Sequence, residues 1–499
     1  MVAFATEGTI VEKLSTLTPD HTSTHRTSEA LVDALTSAVD AAPVVFSSVF
    51  LTFLAVPRQY QYGLVRGLLA HRRRILAGTA KGVWDDVVWS RLFSFLEELL
   101  EDSRHRSRTP AQPPGTVDGW LTEAVADLLH EGTREDEHAY PPVFLPRGWA
   151  LIEKLVSGAD AVAAPSDDPM TQAINSPKGR ALEAAFSHIL RDCRLADRET
   201  GAHDAAWSSA RRLVERELAL CVNSNFEFST LAAAYLGSFE YIDVRWLEDH
   251  IQEFFPKSYT TNLGCALGGL AYAWMSRGIY RILRDAGIVD IALQLEIKRE
   301  HSRTKLMERL ALGYLWEEES LDSERFAYLF EHDCTEDLQS INFFFWSIRG
   351  ETLKPEQVRK VVDYWRHCVK WARDRPEPPA KVLSSLGGLS RFLESAGGED
   401  RELLLAVAPY VDTNGNAYEF IRELVRLVET SPAEVCDVFE RLVDKHELLY
   451  DYEGRIQTLV RRLADLGFRR EAIDLCNKLR SLPGVVDLFR ELTAESGRS

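Results

Sequence analysis

RIQTLVRRLADLGFRREAIDLCNKL, residues 455–479, is the stretch from which the fold class is read. Ile456, Leu459, Val460 and Leu463 recur at the three- and four-residue spacing of one helical face, with charged residues between them. Leu466-Gly467 then ends that helix, because a glycine just past the last turn enters the left-handed region without a Cβ clash. Only Phe468 separates Gly467 from the next amphipathic stretch, Arg469 to Leu479. A break so short reverses the chain, so the two helices form an antiparallel hairpin. One hairpin cannot bury its apolar face alone, and stacking against further hairpins is the expected solution.

The same grammar extends outward. Val435, Val438, Phe439, Leu442 and Val443 form one stripe, opened by Ser431-Pro432 with a hydroxyl N-cap and a proline at the first helical position. Val358, Val361, Val362, Trp365, Val369 and Ala372 form another. The hairpins recur at about 35–40 residues without repeating identities, as degenerate helical repeats do. The expected fold is therefore all-α, with antiparallel hairpins stacked as a degenerate HEAT- or TPR-like solenoid. Proline-broken stretches at 103–118, 157–169 and 375–379 read as linkers. They suggest an N-terminal helical domain over 1–105, a linker-rich helical segment over 106–170 and a C-terminal array over 171–499.

With 499 residues, 45% apolar and 27% charged, the chain has the composition of a folded protein too long for one core. The formal net charge of −18 disfavours broad contact with nucleic acid phosphates and leaves protein partners open. Seven scattered cysteines, none in a CxxC arrangement, suit reduced thiols in a cytoplasm. The longest apolar run, Val44 to Val56, lies between Pro43 and Pro57. It is too short for a membrane span, which needs about 20 residues, and predicts a buried core helix. No secretory signal is read at the N-terminus, and a soluble cytoplasmic protein without membrane association is expected.

Chemical motifs are scarce. GxxxxGK(S/T), GxSxG and HExxH do not occur, and GTAKG at 78–82 lacks the spacing of a phosphate loop. Ser302 and Lys305 make an isolated SxxK on a charged helical stretch, and Glu135 and His138 a single ExxH, where a di-iron bundle needs two. Asp412, Asn414, Asn416 and Glu423 match calcium-loop positions, but Ala417 replaces the required glycine. The plainer reading is an Asn-Gly turn before a helix. Residues 287–300 alternate in a strand-like way, and Asp290, Glu296 and Lys298 suggest the acid-plus-lysine core of a magnesium-dependent nuclease. The same residues also make a helix face with Ile288, Ile291 and Leu295. Arg72, Arg73 and Arg74, with Arg104, Arg106 and Arg108, offer a nucleic-acid reading against a plainer one of helix terminus and solvated loop. Gly264 and Gly268 predict close packing of two buried helices.

QAINSPKGRALEAAFSHILR (172–191) resembles a helix opening found in the helical C-terminal regions of bacterial antiviral proteins. These are the large STAND-type NTPases and defence-associated sirtuin-like proteins, and residues 455–492 resemble the closing part of the same arrays. In this motif Asn175 or Ser176 would cap a helix started by Pro177, and Gly179 would allow close backbone approach. The resemblance implies an array that senses a viral protein or holds an inactive state while an NTPase and an effector act. The 499 residues show neither of those parts. The expectation is thus a non-enzymatic protein-binding scaffold or sensor in bacterial antiviral defence, whose partner is an effector subunit or a phage protein. No catalytic residue, cofactor or metal is expected. The alternatives are a nuclease around Asp290, Glu296 and Lys298, or a helical-repeat nucleic-acid binder.

Overall fold

The computed structural model describes residues 1–16, 25–80, 84–101, 117–295, 300–411, 416–445 and 451–496. All regular structure among them is helical, and no strand occurs. The all-α expectation holds, and the chain forms two compact units. One comprises Met1–Ile288 with 297–302, the other Val289–Glu296 with Arg303–Ser499.

The second unit shows the stacking in its plainest form. Asn416–Leu427 packs on both Pro432–Val443 and Arg455–Asp465, and Pro432–Val443 also meets Arg469–Lys478. Arg455–Asp465 in turn meets Arg469–Lys478 and Val485–Ser496. Contacts therefore run to the next helix or the next but one along the chain, as in a stacked array. The turn at Gly467 forms as expected. Gly467 has φ +98°, its N–H donates to the Ala464 carbonyl at 3.2 Å, and Phe468 N–H donates to the Leu463 carbonyl at 2.9 Å. That pair of reverse bonds is a Schellman motif. Ile456, Leu459, Val460 and Leu463 are buried, as is the stripe through Val361, Trp365, Cys368 and Val369. Ser431 departs from expectation. Its hydroxyl does not cap its own helix but accepts the Ala396 N–H at 3.1 Å, tying two successive layers together.

The first unit is organised around one long helix, Pro177–Thr200. It packs against Val117–Glu131, Leu145–Gly158, Asp204–Ala219, Phe226–Ala234 and Leu236–Phe254. The domain division differs from boundaries at 105 and 170. Arg58–Leu76 packs on Val117–Glu131, and Leu145–Gly158 on Pro177–Thr200, so helices on either side of the proline-rich stretches share a core. Composition marks a loop but does not tell whether the chain returns to the same core. The apolar run at 44–56 also departs from a single helix. It divides into Pro43–Ser47 and a 3-10 segment, Phe50–Ala55. Ser47, Ser48 and Thr52 bond back to the carbonyls three residues earlier, and these local bonds compete with a continuous helix. Phe46, Phe50, Phe53 and Val56 still reach the core. Among the described residues no helix is long and apolar enough to cross a membrane.

Candidate binding cleft

The NSPKG stretch has a structural explanation. Ser176 is the N-cap of Pro177–Thr200 and accepts the Gly179 N–H at 3.0 Å, with Pro177 at the first helical position. A Cβ on Gly179 would lie 1.8 Å from the Ala173 carbonyl oxygen, so glycine lets Pro169–Ile174 lie directly against the long helix. Behind this joint, Lys178 and Glu217 form a buried ion pair at 2.8 Å, and Lys178 also donates to the Val156 carbonyl at 2.7 Å. Close packing at 264–269 occurs at Gly268, as expected, and at Gly269, but not at Gly264. A Cβ on Gly269 would sit 1.8 Å from the Thr230 carbonyl and one on Gly268 2.7 Å from Pro169, whereas Gly264 faces open space.

These joints fix one open cleft of about 830 Å³ on the first unit. One wall is the long helix, with Glu183, Leu190, Arg194, Asp197 and Arg198. The facing wall is the start of Leu236–Phe254, with Gly237, Ser238 and Tyr241. Tyr272 and Trp274 close the end from the loop after Thr260–Leu270. That loop is held by Ser276, which accepts the Ile279 N–H at 2.9 Å and donates to Glu240 at 2.6 Å. Gly237 lets the Trp274 indole lie on the helix, since a Cβ there would be 3.3 Å from the ring. Trp274 is nevertheless 71% exposed, with Tyr272 at 45% and Tyr241 at 42%. Three large aromatic side chains thus face solvent in one concavity.

The charged groups of the cleft are paired. Arg194 and Arg198 both hold Asp136, and despite partial burial they keep its carboxyl below the usual range. The Tyr241 hydroxyl donates to Asp197, and that bond with one from His203 holds the Asp197 carboxyl low. Burial raises the Glu183 carboxyl, against the opposing pull of Arg180. Behind the wall, the Ser187 hydroxyl lies 2.8 Å from His130 Nδ1, but Ser187 is buried and away from the opening. His188 is also buried, hydrogen-bonded to the Tyr140 hydroxyl at 3.0 Å, and burial pushes it down to about 3.

The residues singled out in the sequence do not assemble here. Asp290 lies on the helix Ile288–Gln294, so the strand reading of that segment is incorrect, and Arg325 holds it at 2.9 Å. Its apolar neighbours follow helical rather than alternating burial; Glu296 and Lys298 lie outside the described residues. Glu423 is buried and accepts from Arg422 and Arg426, while Asn416 donates to Ser384. Residues 412–415 lie outside the described set. Arg72 is buried between Trp84 and Trp89, where burial lowers it to about 10, and it donates to the His138 carbonyl. Arg73 pairs with Asp127 and Glu131, and Arg74 with Asp40. Arg104, Arg106 and Arg108 fall outside the described residues. Lys305 pairs with Glu308 at 2.7 Å.

No sequence motif singles out Tyr241, Tyr272 or Trp274. The signal available was AYAWMSRG, two aromatics in a loop directly after a helix, but their exposure depends on Gly237 and Ser276. No protein-family model matches the chain, and no curated protein or solved structure matches it.

Proposed function

We propose that the protein is a non-enzymatic binding subunit that engages another protein through the aromatic cleft of its first unit. The carrying observation is the clustering of Tyr241, Tyr272 and Trp274 at 42%, 45% and 71% exposure in one concave site. Exposed aromatic groups on rigid supports supply large contact area at low entropic cost, and they dominate binding energy at protein interfaces. The charges at the rim are already paired within the protein, so the cleft presents apolar area and directional hydrogen bonds rather than an unsatisfied catalytic set. The engagement of Arg72, Arg73 and Arg74 by the protein's own groups favours a protein partner over nucleic acid.

The resemblance of 172–191 and 455–492 to antiviral arrays supplies the setting: a cytoplasmic sensor or scaffold in bacterial defence, paired with a separately encoded effector or a phage protein. The test is affinity purification from phage-infected cells with the wild-type chain and with Trp274→Ala, alongside assays for ATP hydrolysis and for DNA cleavage in magnesium. The expected result is a phage protein or a host effector recovered by the wild type, depleted by the substitution, and no turnover in either assay. Robust cleavage or hydrolysis by the purified chain would overturn the proposal.

A further inference from the structure

We infer that His203 is a protonation-controlled latch joining the two walls of the cleft, an inference about regulation that rests on the cleft being the working surface. His203 precedes Asp204–Ala219 as its N-cap. Its Nδ1 lies 2.8 Å from Asp197 Oδ1, on the long-helix wall, and its Nε2 lies 2.8 Å from the Ile242 carbonyl, on the facing wall. Both partners are acceptors. A neutral imidazole carries one N–H and would turn a lone pair toward the other oxygen; only the imidazolium satisfies both.

The Ile242 carbonyl needs this donor because its helix breaks there. Asp243 has φ −162° and ψ 91°, and its Oδ1 accepts the Trp246 N–H at 3.0 Å, restarting the helix as an N-cap would. In an unbroken helix that N–H would bond to the Ile242 carbonyl. Asp243 Oδ2 is taken by the Trp207 indole at 3.2 Å, which fixes the break. On the other side, the second oxygen of Asp197 accepts the Tyr241 hydroxyl, so the carboxylate that holds His203 also positions a cleft aromatic. The Tyr241 ring lies 5.1 Å from the imidazole.

The titratable groups around His203 are Asp197 on the long helix, Asp204 on its own helix, and Tyr241 and Asp243 on the broken helix. Three of these are carboxylates, and they favour the cation. Burial opposes protonation, but the Ile242 carbonyl and Asp197 outweigh it and hold His203 above its usual 6.5. A raised value means that the latch is complete below pH 6.5 and is lost as pH rises through the folded-state value. The His203 tie between the walls is then complete at lower pH and loses one of its two hydrogen bonds at higher pH, while Tyr241 still bonds Asp197.

The experiment is nuclear magnetic resonance titration of His203 in the full-length protein, with hydrogen exchange of peptides spanning 236–246 measured across the same range and corrected for intrinsic chemistry. The expected result is an imidazole titrating above 6.5. Protection of 236–246 should fall about threefold to tenfold through that transition, the change one modest hydrogen bond makes to a local opening equilibrium. His203→Gln, which donates but does not titrate, should remove the pH dependence. An imidazole titrating at or below 6.5, or protection that stays flat across its titration, would overturn the latch, and the wild-type readings decide this even if the variant fails to fold. Neither readout uses a partner, so failure here leaves the binding proposal standing, and a cleft that captures nothing leaves the latch standing.

Discussion

Gly179→Ala sets two effects of opposite sign against each other. In an unobstructed helix interior alanine is worth about 1 kcal/mol over glycine. Gly264 is such a position, exposed on Thr260–Leu270, where a Cβ meets nothing within 4 Å. At Gly179 the same methyl would lie 1.8 Å from the Ala173 carbonyl oxygen, 2.6 Å from its carbon and 3.1 Å from the Ser176 hydroxyl. Ala173 contributes main-chain atoms here, so no rotamer change relieves the clash; Pro169–Ile174 must move off the long helix. Overpacking costs about 1–3 kcal/mol, and a backbone-to-backbone clash belongs at the upper end. Disturbing the Ser176 cap adds about 1 kcal/mol, and the intrinsic gain of alanine removes about as much. The net expectation is a loss of about 3 kcal/mol. For a unit this size, at about 2.1 cal/mol/K of unfolding entropy per residue, that lowers Tm by about 5 °C. Thermal melts followed by far-ultraviolet circular dichroism should show Gly179→Ala below wild type and Gly264→Ala at or slightly above it. If Gly179→Ala melts with Gly264→Ala, the reading of the NSPKG joint is refuted.

Lys178→Met should cost about 3 kcal/mol in urea unfolding, the low end for a broken buried pair, because Glu217 at 2% side-chain exposure loses Lys178 but keeps Arg216 and Asn225, and adding Glu217→Leu should restore part of the loss. His188 is held low by burial, so its contribution is intact above pH 6.5 and is lost progressively as pH falls toward about 3. His188→Gln should therefore flatten the fall in stability between pH 6.5 and 5 relative to wild type in matched denaturant titrations. Gly467→Ala places a Cβ at φ +98° and should destabilise the second unit by about 1–2 kcal/mol, read from its own unfolding transition.

Much of the fold was legible because it rests on local rules. The stripe through Ile456 and Leu463, the glycine stop at 467 and the Ser176-Pro177 start each follow from a few adjacent residues. What was not legible depends on distant segments. Ser431 looks like a cap in sequence, yet its hydroxyl serves Ala396. The helices flanking 105 and 170 join one core although the stretches between them read as linkers. The cleft was hidden for the same reason. An exposed tryptophan and a buried one are the same letter, and only the Gly237 approach and the Ser276 anchor distinguish Trp274 from Trp365. Asp290 was misleading because an alternating apolar pattern over a few residues fits strand and helix alike, and Ile288–Gln294 resolves to helix.

Whether the aromatic cleft binds a protein can be read by site-specific photo-crosslinking in infected cells. A photoreactive phenylalanine analogue replaces Trp274 in one strain and Val143, which is 70% exposed and not among the cleft-lining residues, in another. The expected result is a discrete crosslinked protein adduct from position 274 that is absent from position 143. Adducts of equal yield from both positions, or none from 274 while 143 captures a protein, would contradict it.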